Sequence, residues 1–242
     1  MAKSFSLLRV LRVLWFATFP LFLWFWYAPV ITMRIRLITL ALFLCFTLGA
    51  LVLFWSKRIV RWVLVCLYVL LTAFIVLPYH PPVNRSNLRA QYCKSLECYT
   101  GCKYVWGGEG RFSMDCSGLV RRGLEDALVI QGFRTCNPPL VREGVWLYWH
   151  DTTAKVIGEG YEGRTHHILA TPDLNDLDYS LLKPGDLGVT TSGIHIMAYL
   201  GNKSWIAADP GAMKVTVFKI PEKMNPYFST PMNIVRWQVL EN

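Results

Sequence analysis

Asp115-Cys116-Ser117-Gly118-Leu119-Val120 is the stretch on which the reading of this chain turns, because it sets a cysteine where a loop becomes a helix. Upstream, Tyr104-Val105-Trp106-Gly107-Gly108-Glu109-Gly110 reads as a strand running into a glycine-rich turn, with Trp106 expected to be a plain core aromatic. Before that, a short helix is predicted from about Ser86 to Tyr99, and after the cysteine a helical stretch continues to about Ile130. A helix amino terminus carries partial positive charge and free N–H groups. Both favour a thiolate, so the Cys116 pKa is expected to be depressed, and the same N–H groups can hold an oxyanion. Further on, Leu182-Lys183-Pro184-Gly185-Asp186-Leu187-Gly188-Val189 reads as a turn feeding a strand, with Asp186 capping the turn. A second strand runs from Gly193 to Leu200, Gly201-Asn202 forms a hairpin turn, and a third strand runs from about Ser204 to Ala208. Side-chain alternation puts His195, Met197 and Tyr199 on one face. A histidine beside the Cys116 thiol makes an ion pair and a general base, the minimum equipment for thiol acyl transfer.

Around this core the composition is unusual. Of 242 residues, 53% are hydrophobic, 14% aromatic and only 17% charged, against about 25% charge in ordinary globular proteins. The mean hydropathy of +0.32 agrees. These values disfavour an ordinary soluble enzyme, a disordered chain and a disulfide-dense miniprotein. The net charge of +9 by itself suggests nucleic acid or an anionic membrane surface. Residues 1–79, however, hold eight basic and no acidic residues, while 80–242 hold 17 basic and 16 acidic ones. A nearly neutral domain has no electrostatic excess for phosphate backbones, so nucleic acid is set aside.

Three apolar runs fill residues 1–79: Val13–Met33, with Pro20 and Pro29 inside it, Leu37–Ser56 and Trp62–Tyr79. Crossing about 30 Å of hydrocarbon takes about 20 helical residues, so three transmembrane spans are expected. Bulky Trp24, Phe25, Trp26 and Tyr27 stand where a signal-peptide cleavage site needs small residues, so the first run reads as an uncleaved anchor. Trp15, Trp24, Trp26, Trp55 and Trp62 are expected to form aromatic belts at span ends. Lys3, Arg9 and Arg12 at the start, and Lys57, Arg58 and Arg61 in the second loop, outweigh Arg34 and Arg36 in the first. The stronger clusters belong inside, which puts 80–242 outside. Cys45 and Cys66 read as buried apolar residues within spans. With one catalytic thiol set apart, Cys93, Cys98, Cys102, Cys116 and Cys136 leave four, enough for two disulfides. The spacing of Cys93, Cys98 and Cys102 lacks the pattern of common zinc sites, and no metal is expected.

The order Tyr-x-Trp-Gly-Gly, Asp-Cys-Ser-Gly-Leu-Val, Pro-Gly-Asp-Leu and a strand histidine before Gly-Asn resembles the NlpC-type family of papain-like cell-wall peptidases, over roughly residues 86–210. The resemblance implies a papain-like α+β domain cutting peptidoglycan stem peptides. It makes Cys116 the nucleophile and His195 the general base, with Tyr104, Asp115 and Ser117 lining the substrate site. The family's third polar residue, usually a histidine that orients the base, falls at Ala207; Asp209, two residues on, is nominated in its place. The segment from about Gln131 to Ser180 is longer than the usual family connection and is expected to shape or cover the groove. Within it, Trp146, Tyr148 and Trp149 read as packing residues and His166-His167 as a solvated loop pair.

The expected protein is an all-α transmembrane region (1–79) followed by an NlpC-type hydrolase domain (80–242). It acts as a cofactor-free cysteine peptidase or amidase on stem peptides, multi-pass in a bacterial inner membrane with the catalytic domain facing the periplasm or exterior. Its partners are peptidoglycan and the lipid bilayer. It serves wall remodelling, or it is an antibacterial toxin, for which a chaperone or an immunity protein is a further partner. The alternatives are a thiol acyltransferase or hydrolase acting on lipids, and an inactive wall-binding module, the latter resting on Ala207.

Overall fold

The computed structural model describes residues 2–241, with side chains from Arg9 onward, so Lys3 lies outside the described side chains. The chain divides into two compact units, Met1–Pro78 and Tyr79–Asn242. The first consists of α1 (Ala2–Trp26), α2 (Met33–Leu53) and α3 (Arg58–Val76). All three are long and apolar enough to cross a membrane. The first apolar run is longer than its helix. Residues ahead of a proline avoid the α region, so the chain leaves the helix after Trp26, ahead of Pro29. Thr32 then caps α2 by accepting from the Ile35 N–H. As a result Arg34 and Arg36 lie in the first turns of α2, and Arg58 and Arg61 in α3, rather than in loops.

Trp15 also departs from expectation. It is not at a helix end: its Nε1 donates to the Phe46 carbonyl at 2.6 Å, and its ring stacks on Phe46 at 5.0 Å. Gly49 makes this seat, since a Cβ there would lie 2.6 Å from the indole. Cys45 and Cys66 are exposed on their helices rather than buried.

The second unit has the α+β arrangement expected of the hydrolase. It runs α4 (Arg85–Glu97), β1 (Lys103–Tyr104), β2 (Ser113–Met114), α5 (Cys116–Arg134), α6 (Pro138–Trp149), α7 (Ala154–Gly158) and β3 (Thr165–Thr171). It continues with β4 (Leu187–Thr190), β5 (Ile196–Gly201), β6 (Ser204–Asp209), β7 (Lys214–Lys219) and β8 (Met232–Trp237). The sheet order is β2-β1-β7-β6-β5-β4-β8-β3. All neighbours are antiparallel except β1 and β2. Alternation along the central strands serves two cores. Ile196, Ala198, Ile206 and Ala208 pack with Leu88, Tyr92, Leu119 and Leu124 of α4 and α5. Met197, Tyr199, Trp205 and Ala207 pack with Phe228, Met232 and Ile234.

The hairpin turn falls where expected, with Gly201, Asn202 and Lys203 all at positive φ. The long segment after residue 130 is ordered as the end of α5, then α6, α7 and β3. His166-His167 is therefore on a strand, not in a loop, with His166 Nε2 3.1 Å from a Glu241 carboxylate oxygen. Cys93, Cys98, Cys102 and Cys136 are free thiols, so the two disulfides their number permits are not formed.

Asp186 caps its turn by accepting from the Lys183 N–H at 2.8 Å. It also holds Arg236 of β8 in a buried bidentate pair at 2.6 and 2.8 Å. Removing one partner of such a pair strands the other charge in the interior. Asp186→Ala is therefore expected to lower the unfolding free energy by about 3–5 kcal/mol in denaturant titration. A loss under about 1 kcal/mol, the range of exposed pairs, would show that water already reaches Arg236.

Candidate active site

The site begins at the amino end of α5. Asp115 is the N-cap: its Oδ1 accepts from the Gly118 N–H at 2.6 Å and from the Ser117 hydroxyl at 3.1 Å. Its Oδ2 accepts from the Gly107 N–H at 2.9 Å. One carboxylate thus joins the glycine turn to the first turn of the helix, and Cys116 becomes the first helical residue. Two glycines allow the junction. Gly107 has φ +73°, the left-handed region that side chains avoid. At Gly118 a Cβ would come within 2.4 Å of the Gly108 carbonyl oxygen. The -Trp-Gly-Gly- and -Cys-Ser-Gly- motifs are therefore two halves of one close backbone contact. Asp115 and Ser117 act first as its fasteners.

His195 ends the loop that joins β4 to β5. Thr190 holds its backbone from both sides: the Thr190 N–H donates to the His195 carbonyl at 3.0 Å, and the His195 N–H donates to Thr190 Oγ1 at 3.1 Å. Gly193, at φ +71°, turns this loop against Lys155 of α7. The imidazole is 1% exposed, and its Nε2 has no hydrogen-bond partner among the described residues. Tyr227 stacks on the ring at 3.9 Å between centroids and 16° between planes. Asp209, at the end of β6, is also buried. Its Oδ2 accepts from the Ala212 N–H at 2.6 Å and its Oδ1 from the Asn225 amide at 3.1 Å. Ala207, on the same strand, is enclosed in the second core. Asn225 and Tyr227 come from the loop after β7, and no sequence motif points to them.

Electrostatics here run against the expectation of a depressed thiol. Burial pushes the Cys116 pKa up to about 11, and the neighbouring Asp115 charge adds to that, while N–H groups of Ile196, Ser117 and Cys116 oppose it. The bond from Ile196 sets the sulfur against the residue next to His195. Burial also brings the His195 pKa down to about 4, opposed by the Asp209 carboxylate. At neutral pH Cys116 is thus a thiol and His195 a neutral imidazole. A helix amino terminus contributes about 0.3–1 kcal/mol to a nearby anion, and enclosure in apolar surroundings outweighs that here.

Cys116 opens onto a cavity of about 590 Å³, lined on one side by Tyr104, Trp106 and Gly107 and on another by Asp151–Lys155 and Ser192–Ile194. The long segment after α5 therefore supplies a wall of the groove. Its anchor is Arg121 of α5, buried and bonded to the Glu109 and Asp151 carboxylates and to the carbonyls of Leu147 and His150. Trp106 is 79% exposed at the rim, so it is not a core aromatic. It follows the short β1, and the turn through Gly107 carries it outward. Trp146 does pack, stacked on His150 at 3.9 Å with the Arg164 guanidinium over its ring at 3.1 Å. Among the described residues there is no cluster of His, Cys, Asp and Glu able to hold a metal ion.

Solved structures with similar folds include NlpC1 from Trichomonas vaginalis, 18% identical with a TM-score of 0.41; 66% of this chain is covered, and 48% of that one. The peptidoglycan hydrolase RipB from Mycobacterium tuberculosis is 21% identical, with a TM-score of 0.42 and coverage of 67% and 69%. A P60 domain from M. avium subspecies paratuberculosis is 22% identical, with a TM-score of 0.39 and coverage of 66% and 100%. The chain thus spans about half the length of the Trichomonas protein. No curated protein matches. The sequence model of the NlpC/P60 family matches residues 101–236, a span that holds the glycine turn, Cys116, His195, Asp209 and Tyr227, and the chain belongs to the NlpC/P60 family.

Proposed function

We propose that this protein is a cysteine peptidase or amidase acting on peptidoglycan stem peptides, anchored by α1–α3 in a bacterial inner membrane with residues 80–242 outside. The observation that carries this reading is the buried Cys116 thiol at the mouth of a groove, against the strand that follows His195. The unpartnered Nε2 of that histidine is available for a proton. Family membership supports a wall substrate, and RipB, a relative by fold, is a peptidoglycan hydrolase.

In the proposed reaction the substrate carbonyl enters the groove beside the sulfur. The His195 imidazole takes the thiol proton as the S–C bond forms, so no standing thiolate is required. N–H groups in the first turn of α5 hold the tetrahedral oxyanion. The imidazolium then gives its proton to the leaving nitrogen, the C–N bond breaks and a thioester remains. Water, deprotonated by the same imidazole, attacks the thioester and releases the carboxylate and the free thiol. Asp209, two residues beyond the strand position where the family pattern has its histidine, stabilises the transient imidazolium. Tyr104 and Trp106 face the bound peptide, and Asp115 and Ser117 hold the wall behind it. Wall remodelling and delivery as an antibacterial toxin use the same chemistry.

Purified peptidoglycan digested with the full chain and analysed by mass spectrometry is expected to yield new stem fragments, absent with Cys116→Ala. Loss of the base is expected to cost His195→Ala about 100-fold or more in kcat. No product from the wild type under reducing conditions would redirect the reading to a lipid substrate or a binding module.

The neutral pair has its own signature. His195 is lowered from 6.5 to about 4, so the base stays available as pH falls below 6.5 and is lost only near 4. Cys116 is raised to about 11, so its alkylation by iodoacetamide, followed by peptide mapping, is expected to climb steadily from about pH 7 to 10 as thiolate forms. A plateau reached already near pH 6 would identify a standing ion pair instead.

A further inference from the structure

The loop after β7 does more than close the fold. Its segment Asn225-Pro226-Tyr227 reaches both residues behind the thiol. Tyr227 lies parallel to the His195 ring at 3.9 Å, and Asn225 donates to Asp209 Oδ1 at 3.1 Å. The two contacts are made as one piece. The Asn225 side-chain oxygen accepts from the Tyr227 N–H at 3.1 Å, so the amide that holds Asp209 also fixes the turn presenting the tyrosine. Glu222 Oε1 accepts from the Asn225 N–H at 3.2 Å. Phe228, fully buried in the second core, anchors the segment from the other side, and its carbonyl accepts from the Leu174 N–H at 3.0 Å.

We propose that Asn225 and Tyr227 are positioning residues for the base: the tyrosine ring covers one face of the imidazole and sets its plane, and the asparagine holds the Asp209 carboxylate in place behind it. This rests on reading His195 as the general base. The need for such a device follows from the strand itself. Where the family pattern has a polar side chain to steer the imidazole, this chain has Ala207, and a methyl group makes no directional bond. Asp209 lies at the end of β6, and its two oxygens accept from the Ala212 N–H and the Asn225 amide. Its bond to Asn225 fixes the carboxylate, and ring stacking fixes the imidazole plane independently. Cover by Tyr227 also keeps water from that face, consistent with the lowered His195 pKa. The ionisable groups around the imidazole are Asp209 on β6, Tyr227 on the loop, and Cys116 and Tyr104 on the groove side; Tyr227 feels the charges of Asp209 and Cys116.

The test uses the full chain in detergent, with wild type, Tyr227→Leu, Tyr227→Phe, Asn225→Ala and His195→Ala assayed on purified peptidoglycan from pH 4 to 8. Tyr227→Leu is expected to lose about 10- to 100-fold in kcat, as for a displaced catalytic group, with KM little changed. Its acid-side midpoint is expected to rise from about 4 toward 6.5, because water regains the ring. Tyr227→Phe keeps the ring and is expected to match the wild type in both readouts. Asn225→Ala is expected to lower kcat without changing KM. If Tyr227→Leu keeps kcat within about two-fold and the same acid midpoint while His195→Ala is inactive, the positioning role is wrong and the base stands. If His195→Ala is as active as the wild type, the base assignment itself fails. Should Tyr227→Leu not melt cooperatively, Tyr227→Gln removes the ring at this half-exposed position and is judged by the same two outcomes.

Discussion

The Asp115 carboxylate is the joint on which the second unit depends. Its two oxygens take up N–H groups from the glycine turn and from the first turn of α5, together with the Ser117 hydroxyl. A capping carboxylate is ordinarily worth about 1 kcal/mol to a helix. Here it also pins a turn that brings the Gly108 carbonyl against Gly118, where no side chain fits. Cys116, the proposed nucleophile, is the next residue, so the same bonds that start the helix set the thiol at the mouth of the groove. Arg121, one turn further along α5, carries the constraint outward to Glu109 and to the loop after α6.

Enclosure has a cost as well as a use. Cys116 and His195 are 6% and 1% exposed, and burial disfavours charge on either. In the proposed reaction the proton stays on sulfur until a carbonyl arrives, and the neutral thiol is protected from adventitious oxidation, which requires the thiolate. The enclosure is built from several directions. The Thr190 clamp holds the histidine backbone, Tyr227 covers its ring, and Asp209 and Asn225 close the end of β6. The wall formed after α5 narrows the approach from the groove side.

Much of this was legible in the residues. The hairpin at Gly201-Asn202, the helix beginning at Cys116 and the Asp186 cap all depend on neighbours within a few positions, and local backbone chemistry decides them. Three apolar runs were visible by length alone. Their boundaries were less so, because Pro29 and Thr32 divide a continuous apolar run into the end of one helix and the start of another. The partners of Trp106 and Trp15 were hidden for a related reason. An aromatic side chain declares that it is large and apolar, not which partner it meets. The turn at Gly107 sends Trp106 outward, and the gap at Gly49 draws Trp15 inward.

By itself the sequence determined the order of elements and the family landmarks, since these follow from short-range patterns and residue chemistry. It also determined the division between an apolar, purely basic stretch and a nearly neutral domain. Only the tertiary structure decided the protonation states of Cys116 and His195, because burial is a property of everything packed around a group. It alone brought Tyr227 to His195 and Asn225 to Asp209, across a loop from β7 with no periodicity to read. It also decided that Asp186 meets Arg236, fifty positions away. Contacts between distant residues depend on how strands stack and turn, and a local pattern carries no record of that.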